Sequence, residues 1–312
     1  MSFSYDVKED ILKFNSDASS HLLELEAFLR LSGELILSKP PKLVFSSSNM
    51  HILRYMLGLI KKLYIDSEFV IESRTQQKLN HKTIYSCILE KPAQTILEDI
   101  SMLDAVPFNK DEIIGDPLKS IAYLRGAFLA KGSVNDPKTS NYHLEISADK
   151  DTEVIFLQRI MNEFQLNARI AKRRNRFIVY IKEKDLIVEF LRRIGANVSM
   201  NEFENVIIKR ELSANINRLL NIDVANQQKT NRSAKEQLKY IRYLEYNYPL
   251  EKLDPKLLRI MKVRKENPEA SLSELIDIIN QAYDENITKS GLNHRFRKIK
   301  EIALDFESRR NS

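Results

Sequence analysis

Among 312 residues there is one cysteine, Cys87, and no tryptophan. A single thiol excludes an internal disulfide and any zinc site built on paired cysteines. It reads as a small apolar residue instead. The histidines His21, His51, His81, His143 and His294 fall nowhere at i, i+4 spacing. They do not make the paired ligands of a helical metal site. No apolar run approaches the ~20 residues of a membrane span. The opening MSFSYDVKED carries acids and no apolar stretch, which is not the pattern of a secretion signal. These absences predict a cytoplasmic protein with no metal, no cofactor and no membrane partner. Glycine is also scarce, at 7 residues, so the places it occupies are informative.

What remains is ordinary globular material, 43% hydrophobic and 29% charged. The length allows two or three domains. The 49 Lys and Arg against 43 Asp and Glu leave a charge of +6. That balance suits a nucleic acid or an anionic surface without requiring either.

Hydrophobic spacing predicts a helix over 18–35, carrying Leu22, Leu25, Phe28, Leu29 and Leu35. A short strand opened by prolines follows at 40–48. A helix over 49–64 has Asn49 as its N-cap. Strands at 67–74 and 82–90 flank a polar turn at 76–81. A helix over 92–103 carries Pro92 in its first turn. After a polar joint at 111–117 the order begins again. It runs as a helix over 119–134, a strand over 141–147 and a helix over 149–164 with Ile155, Phe156, Ile160 and Phe164 on one face. A hairpin over 167–184 with a basic turn and a helix over 185–196 complete it. The unit repeats at a distance of about a hundred residues, far beyond solenoid periods. It reads as a duplicated half-domain.

Residues 201–248 are helical in pattern but rich in Asn, Gln and Lys. They read as a helical connector with a polar break near 227–232. The rest is sharper. Asp254 and Pro255 open a helix that Pro268 stops. Ser271 and Glu274 form a capping box for a second helix. A basic third helix ends a helix-turn-helix order. Projected at about 100° per residue, 288–303 places Leu292, Phe296, Ile299 and Ala303 on one side. Ser290, Asn293, His294 and Arg297 fall on or near the other side, flanked by Lys289, Arg295, Lys298 and Lys300. Between Asn286 and Lys300 there is no acid. Arg reads guanine, Asn reads adenine, and Ser or His serves either edge in the major groove. Flanking cations neutralise phosphates. The expected partner is double-stranded DNA.

The two central helices share a pattern. LEAFLRLSGEL at 25–35 and LRGAFLAKGSV at 124–134 each hold a small residue third, Ala27 or Gly126, and a glycine ninth, Gly33 or Gly132. A mid-helix glycine costs roughly 1 kcal/mol against alanine. Close approach of two backbones would account for it. The second stretch resembles the LAGLIDADG motif of homing endonucleases through Leu124, Gly126, Ala130, Gly132 and Ser133. That resemblance implies two such helices packed at the centre of a saddle of strands. It also implies that the residue just before the second glycine should be a metal-binding acid. Here those places hold Ser32 and Lys131, which cannot serve as hard carboxylate ligands. Glu34 has Ser133 as its counterpart, so no acid pair forms. The expectation is a degenerate site and no enzyme. A metal-dependent endonuclease would need the missing pair.

Three segments, 122–146, 217–230 and 287–299, together with the N-terminal SFSYDVKEDI, resemble the WhiA family of bacterial sporulation and cell-division regulators. The implied architecture is α+β, a duplicated LAGLIDADG-like domain followed by an all-α helix-turn-helix domain. Its expected parts are half-domains at 1–110 and 111–204, a connector at 205–253 and the reader at 254–312. The resemblance implies a regulator of transcription, cell division and chromosome segregation, nucleoid-associated, with the helix-turn-helix as main DNA reader. Transcription or division proteins are further expected partners. The basic turn Lys172, Arg173, Arg174 and Arg176 is a candidate secondary DNA contact, or a solvated tip. The competing reading is an interaction platform of the division machinery whose DNA affinity is incidental.

Overall fold

The computed structural model describes residues 2–14, 17–76, 82–100, 102, 110–139 and 141–310. The chain divides into two compact units, Met1–Arg210 and Glu211–Ser312.

The first unit opens with α1 (Phe3–Leu12), whose buried Phe3, Val7 and Ile11 recur at helical spacing. Then comes α2 (Ala18–Ser32), β1 (Gly33–Ile36), β2 (Lys42–Ser47), α3 (Met50–Leu63), β3 (Glu68–Gln76), β4 (Lys82–Lys91) and α4 (Ala93–Asp99). After the short α5 (Lys110–Ile114), inside the expected polar joint, the order repeats. It runs α6 (Pro117–Lys131), β5 (Gly132–Val134), β6 (Leu144–Ala148), α7 (Asp151–Glu163), β7 (Arg169–Arg173), β8 (Arg176–Ile181) and α8 (Lys184–Arg193). Each half carries a four-stranded antiparallel sheet, in order β1-β2-β4-β3 and β5-β6-β8-β7. The duplication is therefore a duplication of topology. Gln76 pairs with Lys82 across the first hairpin. Residues 77–81 of its expected polar turn lie outside the described residues.

Both central helices end earlier than their apolar patterns predict. Leu35 and Val134 lie on strands, because Gly33 and Gly132 take extended backbone, φ −83° and −75°. At that junction a Cβ on Gly132 would overlap the Phe128 ring, 2.5 Å from its Cγ. The helices α2 and α6 pack against each other at the centre of the unit. Gly126 sits at their crossing. A Cβ there would overlap the Glu24 carbonyl oxygen and stand 2.8 Å from the carbonyl carbon. The glycine is required by backbone contact, which outweighs its helix cost.

Buried charge lies along the same seam. Arg125 donates to Glu24 Oε1 and, at 3.2 Å, to the Ile194 carbonyl. Its guanidinium covers the Phe14 ring at 4.4 Å. Tyr55 donates to Glu24 Oε2 at 2.5 Å. Elsewhere Glu26 pairs with Arg30 at 3.1 Å. Burial pushes the Glu26 carboxyl up to about 7, against the opposing pull of Arg30. The folded state then holds this proton where the unfolded chain, near 4.5, has lost it. Stability should fall as pH rises from about 4.5 through 7, by about 2–3 kcal/mol for this group. Urea midpoints of the wild type and Glu26→Gln, compared at pH 5 and pH 8, check this. The variant should lose that part of the slope and gain on the wild type at pH 8.

The helix α9 (Asn197–Asn247) runs through the unit boundary. The expected break near 227–232 is absent. No Gly or Pro occurs between Gly195 and Pro249, and a merely polar stretch does not end a helix. Arg210, at the end of the first unit, donates to the carbonyls of Pro137, at 3.0 Å, and Thr139. Residues 211–229 are exposed throughout.

The second unit is helical. It contains the rest of α9, a 3-10 turn at Leu250–Lys252, α10 (Pro255–Glu266), α11 (Leu272–Tyr283) and α12 (Lys289–Arg310). Asp254 caps α10 by accepting from the Lys256 N–H at 2.8 Å. Ser271 and Glu274 form the reciprocal capping box. Ile241 and Leu244 of α9 join Leu257, Ile260, Leu275, Ile279, Leu292 and Ile299 in one core. The end of α9 is thus part of this unit's interior.

Candidate nucleic-acid interface

The helix α12 starts where the preceding turn is locked. Asp284 takes the left-handed conformation, φ 50°. Asn280 Oδ1 accepts from the Ile287 N–H at 2.8 Å. Thr288 then accepts from the Gly291 N–H at 3.2 Å. Leu292, Phe296, Ile299 and Ala303 are buried, as the projection requires. Beneath them the buried Arg264 donates to the Ala270 carbonyl at 2.6 Å and lies 5.6 Å from the Phe296 ring. Burial lowers its pKa. The helix is therefore fixed in rotation about its own axis.

That rotation leaves Lys289, Ser290, Asn293, His294, Arg297 and Lys298 exposed. They form one polar, acid-free surface along the first three turns. Arg295 and Lys300 behave differently. Arg295 pairs with Glu285 at 2.8 Å, and Glu285 also holds Arg259 at 3.1 Å. The Arg295 hydrogen bond leads the effects that keep the Glu285 carboxyl below its ordinary range. Lys300 pairs with Glu236 at 2.6 Å and lies 5.4 Å from the Tyr240 ring, and that pairing raises its pKa. These two cations tie α12 to the preceding turn and to α9. Spacing within the helix could not reveal this, because the acids lie 10 and 64 residues away in sequence.

In the first unit, Ser32 and Lys131 come together as the pseudo-symmetry of α2 and α6 demands. They line one polar cavity of about 460 Å³ with Glu34. The Ser32 hydroxyl donates to the Phe28 carbonyl at 2.6 Å. Among the described residues no group of three His, Cys, Asp or Glu is placed to hold a metal ion.

The hairpin tip between β7 and β8 exposes Lys172, Arg173, Arg174 and Arg176. Arg173 reaches Glu145 at 3.2 Å and Arg176 reaches Asp149 at 3.7 Å. Lys172 lies 5.5 Å from the Phe177 ring. Arg174, at φ 55°, has no ion pair among the described residues. Half of this basic turn is therefore matched by acids on β6 and just after it. The open face of the first sheet is different again. Its concavity is lined by Ile36, Val44, Ile84 and Ile88 with Glu72 and Arg74.

Comparison with known proteins agrees with this layout. Family models match three successive segments: the WhiA N-terminal LAGLIDADG-like domain over 18–103, the WhiA LAGLIDADG-like domain over 120–213, and the WhiA C-terminal HTH domain over 216–303. A relative from Enterococcus faecalis, named probable cell division protein WhiA, is 39% identical over 308 residues and 97% of each chain. One from Staphylococcus carnosus with the same name is 37% identical over 97% of this chain and 96% of its own. The crystal structure of full-length DUF199/WhiA from Thermatoga maritima superposes with a TM-score of 0.61 at 27% identity, covering 98% of this chain and 99% of that one. The fold is that of a LAGLIDADG-like α+β domain followed by a helix-turn-helix domain, and the chain belongs to the WhiA family.

Proposed function

We propose that this chain is a sequence-specific DNA-binding regulator of transcription that acts in cell division and chromosome segregation. The observation that carries the reading is the exposed surface of α12. Ser290, Asn293, His294 and Arg297 share it with Lys289 and Lys298, opposite a buried stripe that holds the helix in place. In the major groove the first four read base edges, and the two lysines hold phosphates. Arg295 and Lys300 position the helix. At the hairpin tip, Lys172 and Arg174 add a weaker phosphate contact, with Arg173 and Arg176 partly neutralised. The first unit is not an enzyme in this account, since Ser32 and Lys131 supply no carboxylates for a catalytic metal. The working place is the cytoplasm, on the nucleoid.

Selection from randomised duplexes should return a defined site. On that site Arg297→Ala should cost about 1–3 kcal/mol and relax the base preference at one position. Lys298→Ala should weaken all sequences alike and reduce the salt slope by about one. Fluorescence anisotropy at several salt concentrations measures both. An unchanged affinity for Arg297→Ala would remove the base-reading assignment.

A second reading, a protein-contact role for the first unit, draws on its first sheet. Ile36 and Val70 are exposed on the open face beside Val44, Ile84 and Ile88. An apolar sheet face suits a protein partner better than a phosphate backbone. The two readings are compatible, one unit reading DNA and the other meeting a transcription or division protein.

A further inference from the structure

The cavity between α1, the β2–α3 loop and the C-terminal end of α6 is not explained by a LAGLIDADG-like frame without catalytic acids. Its volume, about 460 Å³, is that of a small-molecule site. Its walls are polar. Ser46 and Ser47 at the end of β2 and Ser48 just after it line the cavity, together with Lys8 of α1 and Lys131 at the end of α6. Among the described residues the side-chain hydroxyls of Ser46 and Ser48 make no hydrogen bond. The Ser47 oxygen accepts from the Asn49 N–H at 3.0 Å and so keeps its own proton to donate. Lys8 is anchored by a 3.1 Å bond to the Leu129 carbonyl.

Lys131 is the telling group. Its side chain is half-buried, and among the described residues no carboxylate oxygen lies within 4 Å of its Nζ. Two acids are near. Glu34 lines the cavity from an exposed position on β1. Glu9, on α1, is occupied by Asn49 at 2.7 Å and His51 at 2.8 Å. A lysine with no carboxylate in reach is open to an external anion as its ionic partner.

We propose that this cavity binds a phosphoryl group, with Lys131 as its ionic partner, Lys8 as the second positive charge and the serines at the end of β2 as hydroxyl donors. A carboxylate offers two oxygens in one plane. A phosphoryl group offers three, which suits a lining with ammonium and hydroxyl donors drawn from α1, α6 and the end of β2. The group could be carried by a free phosphorylated molecule or by the DNA backbone, and the test separates these sources. The proposal does not depend on α12, so it stands or falls apart from the DNA-reading assignment.

The test uses the full chain and inorganic pyrophosphate in titration calorimetry at constant ionic strength, with sodium sulfate and chloride as comparisons. The variants are Lys131→Ala, Lys131→Arg, Ser48→Ala and, as a control on an exposed cation outside the cavity, Arg159→Ala. Saturable binding of pyrophosphate, weakened at least tenfold by Lys131→Ala, kept within about threefold by Lys131→Arg and untouched by the control, establishes a site for a free phosphorylated ligand. If pyrophosphate does not bind, the same variants are tested on a 30-base-pair duplex of arbitrary sequence. A log–log salt slope reduced by about one in Lys131→Ala assigns the phosphoryl group to DNA. Pyrophosphate that does not bind, or binds equally to wild type and Lys131→Ala, with an unchanged duplex slope, overturns the proposal. Melting curves for each variant confirm folding. Ser48→Ala, a surface change, repeats the test if Lys131→Ala destabilises the unit.

Discussion

Gly126→Ala should destabilise the first unit by about 3 kcal/mol. Intrinsic propensity alone says the opposite, since alanine gains roughly 1 kcal/mol over glycine in a helix. The conflict is decided by what the methyl group meets. At Gly126 it meets the Glu24 backbone, with the carbonyl oxygen overlapped and the carbon and Cα at 2.8 and 2.9 Å. Backbone atoms in the middle of α2 cannot rotate aside, so the two central helices must separate. Separation opens the core on both sides at once, because α2 and α6 each carry one half-domain. Gly58 supplies the control. It lies within α3, and a Cβ there would find nothing within 4 Å. Gly58→Ala should therefore stabilise by up to about 1 kcal/mol. Urea unfolding followed by far-UV circular dichroism measures both. Equal and favourable effects would show that the helices are not in backbone contact.

Breaking the Glu24–Arg125 pair from one side should be as damaging. Arg125→Met leaves a carboxylate buried without its cation, at a cost of about 3–5 kcal/mol. The side chains are 0% and 5% exposed for Glu24 and Arg125, so water cannot stand in. Much of that cost belongs to the stranded charge rather than to the pair. Arg125→Met combined with Glu24→Gln should recover most of the loss, because Gln still accepts from Tyr55 and carries no charge. A double-mutant cycle by urea denaturation tests this. Additive losses would mean that the pair carries its weight through packing alone, including the Arg125 guanidinium on Phe14.

Much of this architecture is legible in residue spacing. The repeated helix–strand–helix–hairpin–helix order marks the duplication. Asp254, Ser271 and Glu274 mark helix starts, and the Leu292, Phe296, Ile299 and Ala303 stripe sets the face of α12. Such signals are local, a few residues wide, and chain chemistry alone produces them. What spacing hides is of two kinds. Short strands that continue an apolar helix, β1 and β5, carry no periodicity of their own, and only the backbone angle at Gly33 and Gly132 separates them. Long-range partners are invisible as well. Arg125 finds Glu24 at a separation of 101 residues, and Lys300 finds Glu236 at 64. For the same reason Arg295 and Lys300 read as phosphate contacts by composition, although their acids lie elsewhere in the same unit. The continuity of α9 was hidden by an opposite effect, since polarity resembles a linker when no breaker is sought.

The central claim is that α12 reads DNA sequence in the cell, and genome-wide occupancy of the tagged protein in its own host tests it most directly. The wild type is compared with Arg297→Ala/Lys298→Ala, expressed to the same level. Discrete peaks that share a motif in the wild type and vanish in the variant are the predicted result. Occupancy that is flat, or that survives the double substitution, would contradict it.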